Sequence, residues 1–525
     1  MNLPMKHFHK FNFKDLHVLD VANNHQGSVA HGKRIINECA EVVKRHGVRA
    51  AMKFQFRDLP EFVHLDERSN PTNKHVPRFL STQLSWANFE ELIAVVRSQG
   101  LLAICTPFDE PSVQKIVEMG FDVIKVASCS ARDWPLLEKV AASGLPIIAS
   151  TGGLLQAEVD DLVSFLDHRG CDFALMHCVS IYPTPDNACQ LGNIAGFKDR
   201  YLGRIIGWST HEPPQDLVQV GIAAALGAEM FERHVGVETD KVKLNAYSST
   251  PKQVDDWLAA AHRARLLIGS RERVQPLEVE RTAIDELRRG VFAKTAIEPG
   301  KMVNEDQIYF AFPYRLGQLS SGEWKSGVVY KAAASPNQPL IASEVVLPGD
   351  SDEIVIKNSI HEVKALLAYA RVPLSHEFTT EYSHHYGVVN FREVGAVLIN
   401  VINRAYAKKI IVQIAGQSHP MHYHKLKEET FLVIWGDLIS ELDGRERLLR
   451  PGDTLTVPPG VWHSFRTDTG CVFEEISTTA YANDSVYRDP AINVLTSKQR
   501  KTIVDHWGRF QITEQLRGER LQVSE

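Results

Sequence analysis

Lys53 and Lys125 each interrupt a short apolar run, AAMKFQF and DVIKVAS. A lysine inside a buried strand is costly unless it is paired or meets an anion. Gln55 stands two residues after Lys53, and Thr106, Ser128, Ser150 and Ser209 sit at or just past the ends of similar runs. Small hydroxyls beside a lysine point charge complete the hydrogen bonding around a phosphate or carboxylate. Two readings stay open for each lysine, a structural ion pair and an anion site, and the hydroxyls favour the second. His211 and His234 close two further consecutive runs. One such histidine is ordinarily a satisfied polar residue, but two at neighbouring positions can hold a divalent metal through neutral imidazole.

Eight elements are needed to bring these side chains together. The apolar runs are Val18–Ala22, Ala50–Phe56, Leu102–Pro107, Val123–Ser128, Pro146–Thr151, Phe173–Cys178, Ile205–Ser209 and Met230–His234. Asn24, His25 and His177 also stand at their ends. The intervening segments Gly32–Arg45, Trp86–Ser98, Pro111–Met119 and Pro213–Leu226 have helical periodicity. Strands alternating with helices predict a parallel sheet, and eight such units predict a closed (β/α)8 barrel. In that fold the polar strand ends converge on one mouth.

The 525 residues are enough for several domains. With 44% hydrophobic and 23% charged residues the composition is that of ordinary globular domains. A net charge of −6 without a long basic cluster argues against a nucleic-acid partner. The seven cysteines (39, 105, 129, 171, 178, 189, 471) form no CxxC pair, which fits a reducing compartment. The opening MNLPMKHFHKFNF lacks a leader-like apolar stretch, and no run is long enough for a bilayer. A cytoplasmic protein with no membrane partner is expected.

After His234, Val254–Ile268 reads as the last barrel helix, and Pro276–Arg289 as a charged helical stretch. A small unit follows, with strands in VFAKTAI, Gln307–Phe312 and Val328–Ala333, ending near Leu347. At about 60 residues it is too small to be very stable alone. Pro348–Asp352 reads as a linker. From about Glu353 short strands between Gly/Pro turns predict an all-β sandwich or barrel, clearest at Ile410–Ile414, Thr430–Trp435, Thr454–Val457 and Cys471–Ser477. Lys498–Leu516 reads as a terminal helix. The expected domains are 1–275, 276–347 and 353–525.

The strings VLDVANNHQGS, AAMKFQ, TPFDEPSV, DVIKVAS, PIIASTGG, ALMHCVSIYPTP, IIGWSTH and GAEMFERHVGV resemble, in that order, the sialic acid synthase family. LRRGVFA and IEPGKMVNEDQI resemble that family's antifreeze-like (SAF) domain. The resemblance implies condensation of phosphoenolpyruvate with an aldose to a 3-deoxy-ulosonic acid. It implies a TIM barrel whose mouth is capped by the small domain of a partner, in a domain-swapped homodimer. Lys53, Thr106, Lys125, Ser128, Ser150 and Ser209 would hold phosphoenolpyruvate, Gln55 and Tyr182 would line the same pocket, and His211 and His234 would hold manganese or a similar ion.

Several positions depart from the family pattern. Asp20 replaces a Glu that contacts the metal or works as acid and base. Cys129-Ser130 replaces a Gly-Glu pair that contacts the sugar, and Val242–Asn245 replaces a Gly-Pro-Asp motif. Phe312-Pro313-Tyr314-Arg315 replaces an Arg-Pro-Gly sequence at the N-acetyl group, leaving Arg315 as the candidate substrate contact. Most departures lie on the sugar side, so the same reaction is expected on a different aldose, one without an N-acetyl group. The rival expectation is a non-catalytic sugar-binding or regulatory protein with a diverged barrel.

The tail carries Gly416-x5-His422-x-His424-x4-Glu429-x6-Gly436, then Gly452-x5-Pro458-x-Gly460-x2-His463. Both motifs resemble the cupin family. His422 and His424 alternate onto one strand face, and with Glu429 and His463 they make a three-histidine, one-carboxylate set for a second divalent metal. Zinc, manganese, iron and nickel all suit it. Thr467 replaces the motif's terminal Asn. A degenerate cupin used for packing or sugar binding is the alternative. The stretch AYAKKIIVQIAGQSHPMHYHKLKEETF is also similar to cupin sugar isomerases, which implies an aldose–ketose interconversion that would supply the synthase.

Overall fold

The computed structural model describes residues 10–69, 71–270, 273–374, 376–505 and 507. The chain divides into two compact units, Met1–Gln275 and Pro276–Glu525. Most of the opening segment read for a leader, residues 1–9, lies outside the described residues. Among the described residues no helix is long and apolar enough to cross a membrane.

The first unit is a closed eight-stranded parallel barrel. Its strands are β1 (Leu16–Asp20), β2 (Arg49–Phe56), β3 (Leu102–Pro107), β4 (Val123–Val126), β5 (Ile147–Ser150), β6 (Phe173–Cys178), β7 (Ile206–Thr210) and β8 (Met230–His234). The eight main helices are α1 (Val29–His46), α2 (Trp86–Ser98), α3 (Glu110–Glu118), α4 (Trp134–Ala142), α5 (Gln156–His168), α6 (Gly192–Arg200), α7 (Val218–Ala225) and α8 (Pro251–Ile268). Local chemistry sets several starts. Ser28 and Asp109 accept from the third backbone N–H of α1 and α3, and Ser85 with Asn88 and Thr250 with Gln253 form capping boxes. The helix read over Pro213–Leu226 begins only at Val218.

Side-chain alternation sorts the strand residues into two sets. Leu16, Val18, Ala51, Ile104, Val123, Ile148, Ala174, Met176 and Met230 pack together as the apolar interior of the barrel. Leu19, Met52, Phe54, Cys105, Leu175, Trp208 and Phe231 pack outward with the helices. Continuing the inward set toward the strand ends gives Asp20, Lys53, Gln55, Thr106, Lys125, Ser150, Cys178, Ser209, Glu232 and His234. The charged layer therefore rests on a dry floor.

The second unit holds small antiparallel sheets and a larger β region. Lys301–Met302, Val329–Tyr330 and Val345–Val346 form one small sheet, and Gly290–Ala293 pairs with Ile308–Ala311. Val291, Ile297, Val303, Leu319, Val328 and Leu340 are in their common core. The β region has a seven-stranded and a five-stranded antiparallel sheet.

Two expectations for this unit are corrected. Asp352–Tyr369 is a helix, not the first of the strands. Ser351 caps it, and Ile356, Ile360, Val363 and Leu367 form its buried stripe. Helical structure in Lys498–Leu516 stops at Arg500, because Lys501–Asp505 pairs antiparallel with Thr379–Ser383. Residues 506 and 508–516 of that expected helix lie outside the described residues.

Candidate active site and metal centre

The barrel mouth opens into a cavity of about 760 Å³, in the range of small-molecule sites. Asp20, Lys53, Gln55, Thr106, Lys125, Ser128, Ser150, Tyr182, Ser209, His211 and His234 all line it. The barrel residues given a substrate or metal role from the sequence are thus brought to one place. Arg315 lies on the second unit, exposed, with its guanidinium 5.9 Å from the Phe292 ring.

At the cavity base, Glu232 Oε1 lies 3.0 Å from Lys53 Nζ and 3.2 Å from Lys125 Nζ. Lys53 also meets Asp20 Oδ2 at 3.1 Å, and Lys125 donates to Ser150 Oγ at 2.6 Å. Ser209 donates to the same Glu232 oxygen at 3.0 Å. Burial would lower both lysines. For Lys53 the Asp20 and Glu232 carboxylates outweigh it and hold the ammonium above its ordinary range. For Lys125 burial prevails over Glu232, aided by repulsion from Lys53, and its proton is held less tightly. Burial would raise Glu232, but Lys125 and Lys53 overcome it and keep the carboxylate ionised.

Two buried atoms of this cluster, Thr106 Oγ1 and Glu232 Oε2, have no hydrogen-bond partner. Unmet polar atoms beside two lysines and three serines suit a polar ligand. Backbone closeness shapes the same wall. A Cβ on Gly152 would lie 2.7 Å from Ser180 Oγ and 2.8 Å from Ser128 Oγ, and the Gly152 N–H donates to Ser128 Oγ at 2.9 Å.

Asp20 is a junction despite its short side chain. Its Oδ2 receives Gln55 Nε2 at 3.2 Å and lies 3.3 Å from His234 Nδ1, while Oδ1 accepts from the Ala22 N–H. The His211 and His234 rings are 5.3 Å apart. His211 Nδ1 is 2.9 Å from the Val179 carbonyl, which fixes a tautomer with Nε2 free. Burial lowers His234 below its ordinary value, despite Asp20, so its imidazole is neutral. Two imidazoles beside a carboxylate are a donor set that fits a divalent cation.

Sequence reasoning missed Glu232, which lies between Met230 and His234 on the inward face. That alternation was the available signal. It also missed Arg57, Asn245 and Tyr247, which line the cavity from loops. His25 and His177, read as mouth residues, are not among its lining. His177 is on the outward face of β6, 2.9 Å from the Cys189 carbonyl and stacked on Trp208. His25 packs edge-on against Phe89.

A model of the NeuB family matches residues 40–273. An uncharacterized protein of Methanocaldococcus jannaschii is 31% identical over 56% of this chain and 83% of its own length. The chain belongs to the NeuB family. The NeuB barrel is also 31% identical to the N-acetylneuraminate-9-phosphate synthase of Drosophila melanogaster, over 41% of this chain and 59% of that one. A solved structure of a putative spore coat polysaccharide biosynthesis protein E from Chromobacterium violaceum is 40% identical, with a TM-score of 0.62. It covers 64% of this chain and all of its own. A cupin domain model matches residues 410–475, so the NeuB chain carries a cupin domain as well.

In the cupin, His422, His424, Glu429 and His463 are buried, and one ligand atom of each lies within 4.8 Å of all the others. His422 and His463 are cross-strand neighbours. Their Nδ1 atoms face the Pro420 and Val461 carbonyls at 2.9 and 3.0 Å, which leaves both Nε2 atoms for a metal. His424 Nδ1 lies 3.2 Å from Ser485 Oγ. Burial pushes His424 down to about 4 and His422 well below its ordinary range, so both are neutral donors. Glu429 Oε1 and His463 Nε2 are 2.7 Å apart and otherwise unpartnered. This donor set fits a divalent cation.

Behind the ligands is a charge network that sequence reasoning missed. Lys427 is 2.5 Å from Glu429 Oε2 and 2.9 Å from Glu475 Oε1, and Lys409 meets Glu475 at 3.1 Å. Burial would raise Glu475, but Lys409 and Lys427 bring it down to about 2. Glu475 alternates inward with Phe473 and Ser477, the same signal overlooked at Glu232.

Proposed function

We propose that the NeuB barrel condenses phosphoenolpyruvate with an aldose to a 3-deoxy-ulosonic acid and phosphate. The observation that carries this reading is the pair of buried lysines joined through Glu232 at the foot of a cavity lined by serines and two histidines. Family membership supports the substrate classes, and names such as pseudaminic acid synthase among the relatives show how varied the sugar is.

Lys53, Lys125, Ser150 and Ser209 are placed to bind the phosphate and carboxylate of phosphoenolpyruvate, with Thr106 and Ser128 completing its hydrogen bonds. Bringing the two reactants into one pocket aligns C3 of the enol with the aldehyde carbon. A divalent ion held by His211 and His234 would supply Lewis-acid polarisation of the aldehyde oxygen. Asp20 holds Gln55, Lys53 and His234 in register and is placed to carry a proton at Oδ2. One new C–C bond forms, water adds at C2, and the C2–O bond to phosphate is lost. Arg315, from the small domain of a partner copy, would contact the sugar in a swapped dimer. Light scattering beside activity tests that, and a fully active monomer would contradict it.

The test of the reaction is phosphate release from phosphoenolpyruvate across a panel of aldoses with manganese present. Release that needs an aldose supports the reading. None from any aldose would favour a sugar-binding or regulatory protein.

For the cupin we propose a bound divalent metal. An aldose–ketose isomerisation there would supply the barrel's substrate, but the cavity at the ligands is about 60 Å³, room for a few waters rather than a pentose. The isomerase reading therefore requires this cavity to open. Solvent exchange at C1 and C2 of pentoses and hexoses, with the metal-loaded chain, decides it.

A further inference from the structure

Arg57 is a half-buried cation of the barrel cavity that forms no direct ion pair among the described residues. It follows the end of β2 by one residue and lines the cavity beside Gln55, to whose Oε1 its Nη2 donates at 3.1 Å. Its Nε is buried without a hydrogen-bond partner. The rings of Phe108 and Phe79 hold the guanidinium at 3.8 and 4.2 Å. Burial between them pulls it down to about 10. A guanidinium so enclosed is costly unless an anion meets it.

The neighbouring charges sharpen this. The cavity is lined by five cations, Lys53, Arg57, Lys74, Arg78 and Lys125, and by two carboxylates, Asp20 and Glu232. Both carboxylates are already engaged by Lys53 and Lys125 at the base. Lys74 and Arg78, like Arg57, form no ion pair among the described residues. Arg57 continues the inward set Lys53, Gln55 one step past the end of β2, nearer the mouth than the lysines at the base.

We propose that Arg57, with Lys74 and Arg78, binds an anionic group on the acceptor, so that the sugar substrate is an acidic aldose. This rests on the synthase reading above. A planar guanidinium matches both phosphate and carboxylate.

The test uses the full-length chain with manganese and phosphoenolpyruvate. Mannose and N-acetylmannosamine are each supplied as the neutral sugar, the 6-phosphate and the 6-carboxylate. Phosphate release should favour one anionic form over its neutral partner by roughly ten- to a hundredfold in kcat/KM, and the favoured form identifies the group. Arg57→Gln should collapse that ratio to within about threefold, with the KM for phosphoenolpyruvate little moved, and Arg57→Lys should keep part of it. Neutral sugars used as well as their anionic partners would overturn the proposal. So would an Arg57→Gln loss equal for all three forms, which would make Arg57 only a positioning residue for Gln55. If no sugar releases phosphate, the synthase reading itself has failed. Calorimetric titration with the two 6-phosphates and two 6-carboxylates then decides separately: Arg57-dependent binding upholds the anion subsite, and absence of binding overturns it.

Discussion

Glu232 and Lys125 stand on opposite strands of the barrel, β8 and β4, and meet across its interior with Oε1 and Nζ 3.2 Å apart. That contact spans the closed sheet and fixes the depth at which charge begins. Below it lies the apolar interior around Met230 and Val123. The same oxygen lies 3.0 Å from Lys53 Nζ, so Glu232 is shared by two ammoniums, with Asp20 as the second carboxylate on Lys53.

Glu232→Gln removes that shared counter-charge and leaves Asp20 as the one carboxylate of the charged layer. Breaking a buried pair this way should cost about 3–5 kcal/mol of stability. Phosphoenolpyruvate should then raise the melting temperature of the variant more than that of the native chain. Calorimetric melts with and without it check this. A variant that melts like the native chain would deny Glu232 this role.

Lys53→Ala and Lys125→Ala should each weaken phosphoenolpyruvate binding by about 1.5–3 kcal/mol, roughly ten- to 150-fold in Kd. Titration calorimetry measures it directly. Unchanged binding in both would mean that the lysines serve only the internal ion pairs.

In the cupin, the double variant His422→Ala, His424→Ala should lose its bound metal, read by elemental analysis of the purified chain. Lys427→Met disturbs the orientation of Glu429 without removing a ligand. Its metal affinity should fall about ten- to a hundredfold. Equal metal content in the double variant and the native chain would sink the assignment.

Stability should fall as the medium is acidified from pH 6.5 toward pH 4. His17 faces Phe231 and Trp257 with both ring nitrogens buried and unpartnered, and burial lowers it to about 4. The unfolded chain binds the proton first, so stability is intact above 6.5 and is lost as pH falls through the folded value. The full effect is roughly 3 kcal/mol. His17→Phe should flatten that part of the stability–pH curve. An unchanged slope in denaturant titrations would show that His17 is not its source.

The sequence alone determined the barrel and most of its charged layer, because alternation in a parallel sheet ties each polar strand end to one face. Lys53, Lys125, Ser150, Ser209 and His234 could be read that way, and strict use of the same alternation would have added Glu232 and set His177 aside. The cupin ligands were legible because His-x-His on one strand face needs only local geometry. Tertiary structure decided what local periodicity cannot. The stripe Ile356, Ile360, Val363, Leu367 became a helix against the cupin core, and Lys501–Asp505 became a strand because Thr379–Ser383 offered an edge to pair with. Arg57 needed the fold most of all. Its setting is made by Phe79, on the short helix Val76–Ser81, and Phe108, on the loop after β3, and only packing shows which carboxylates are already taken.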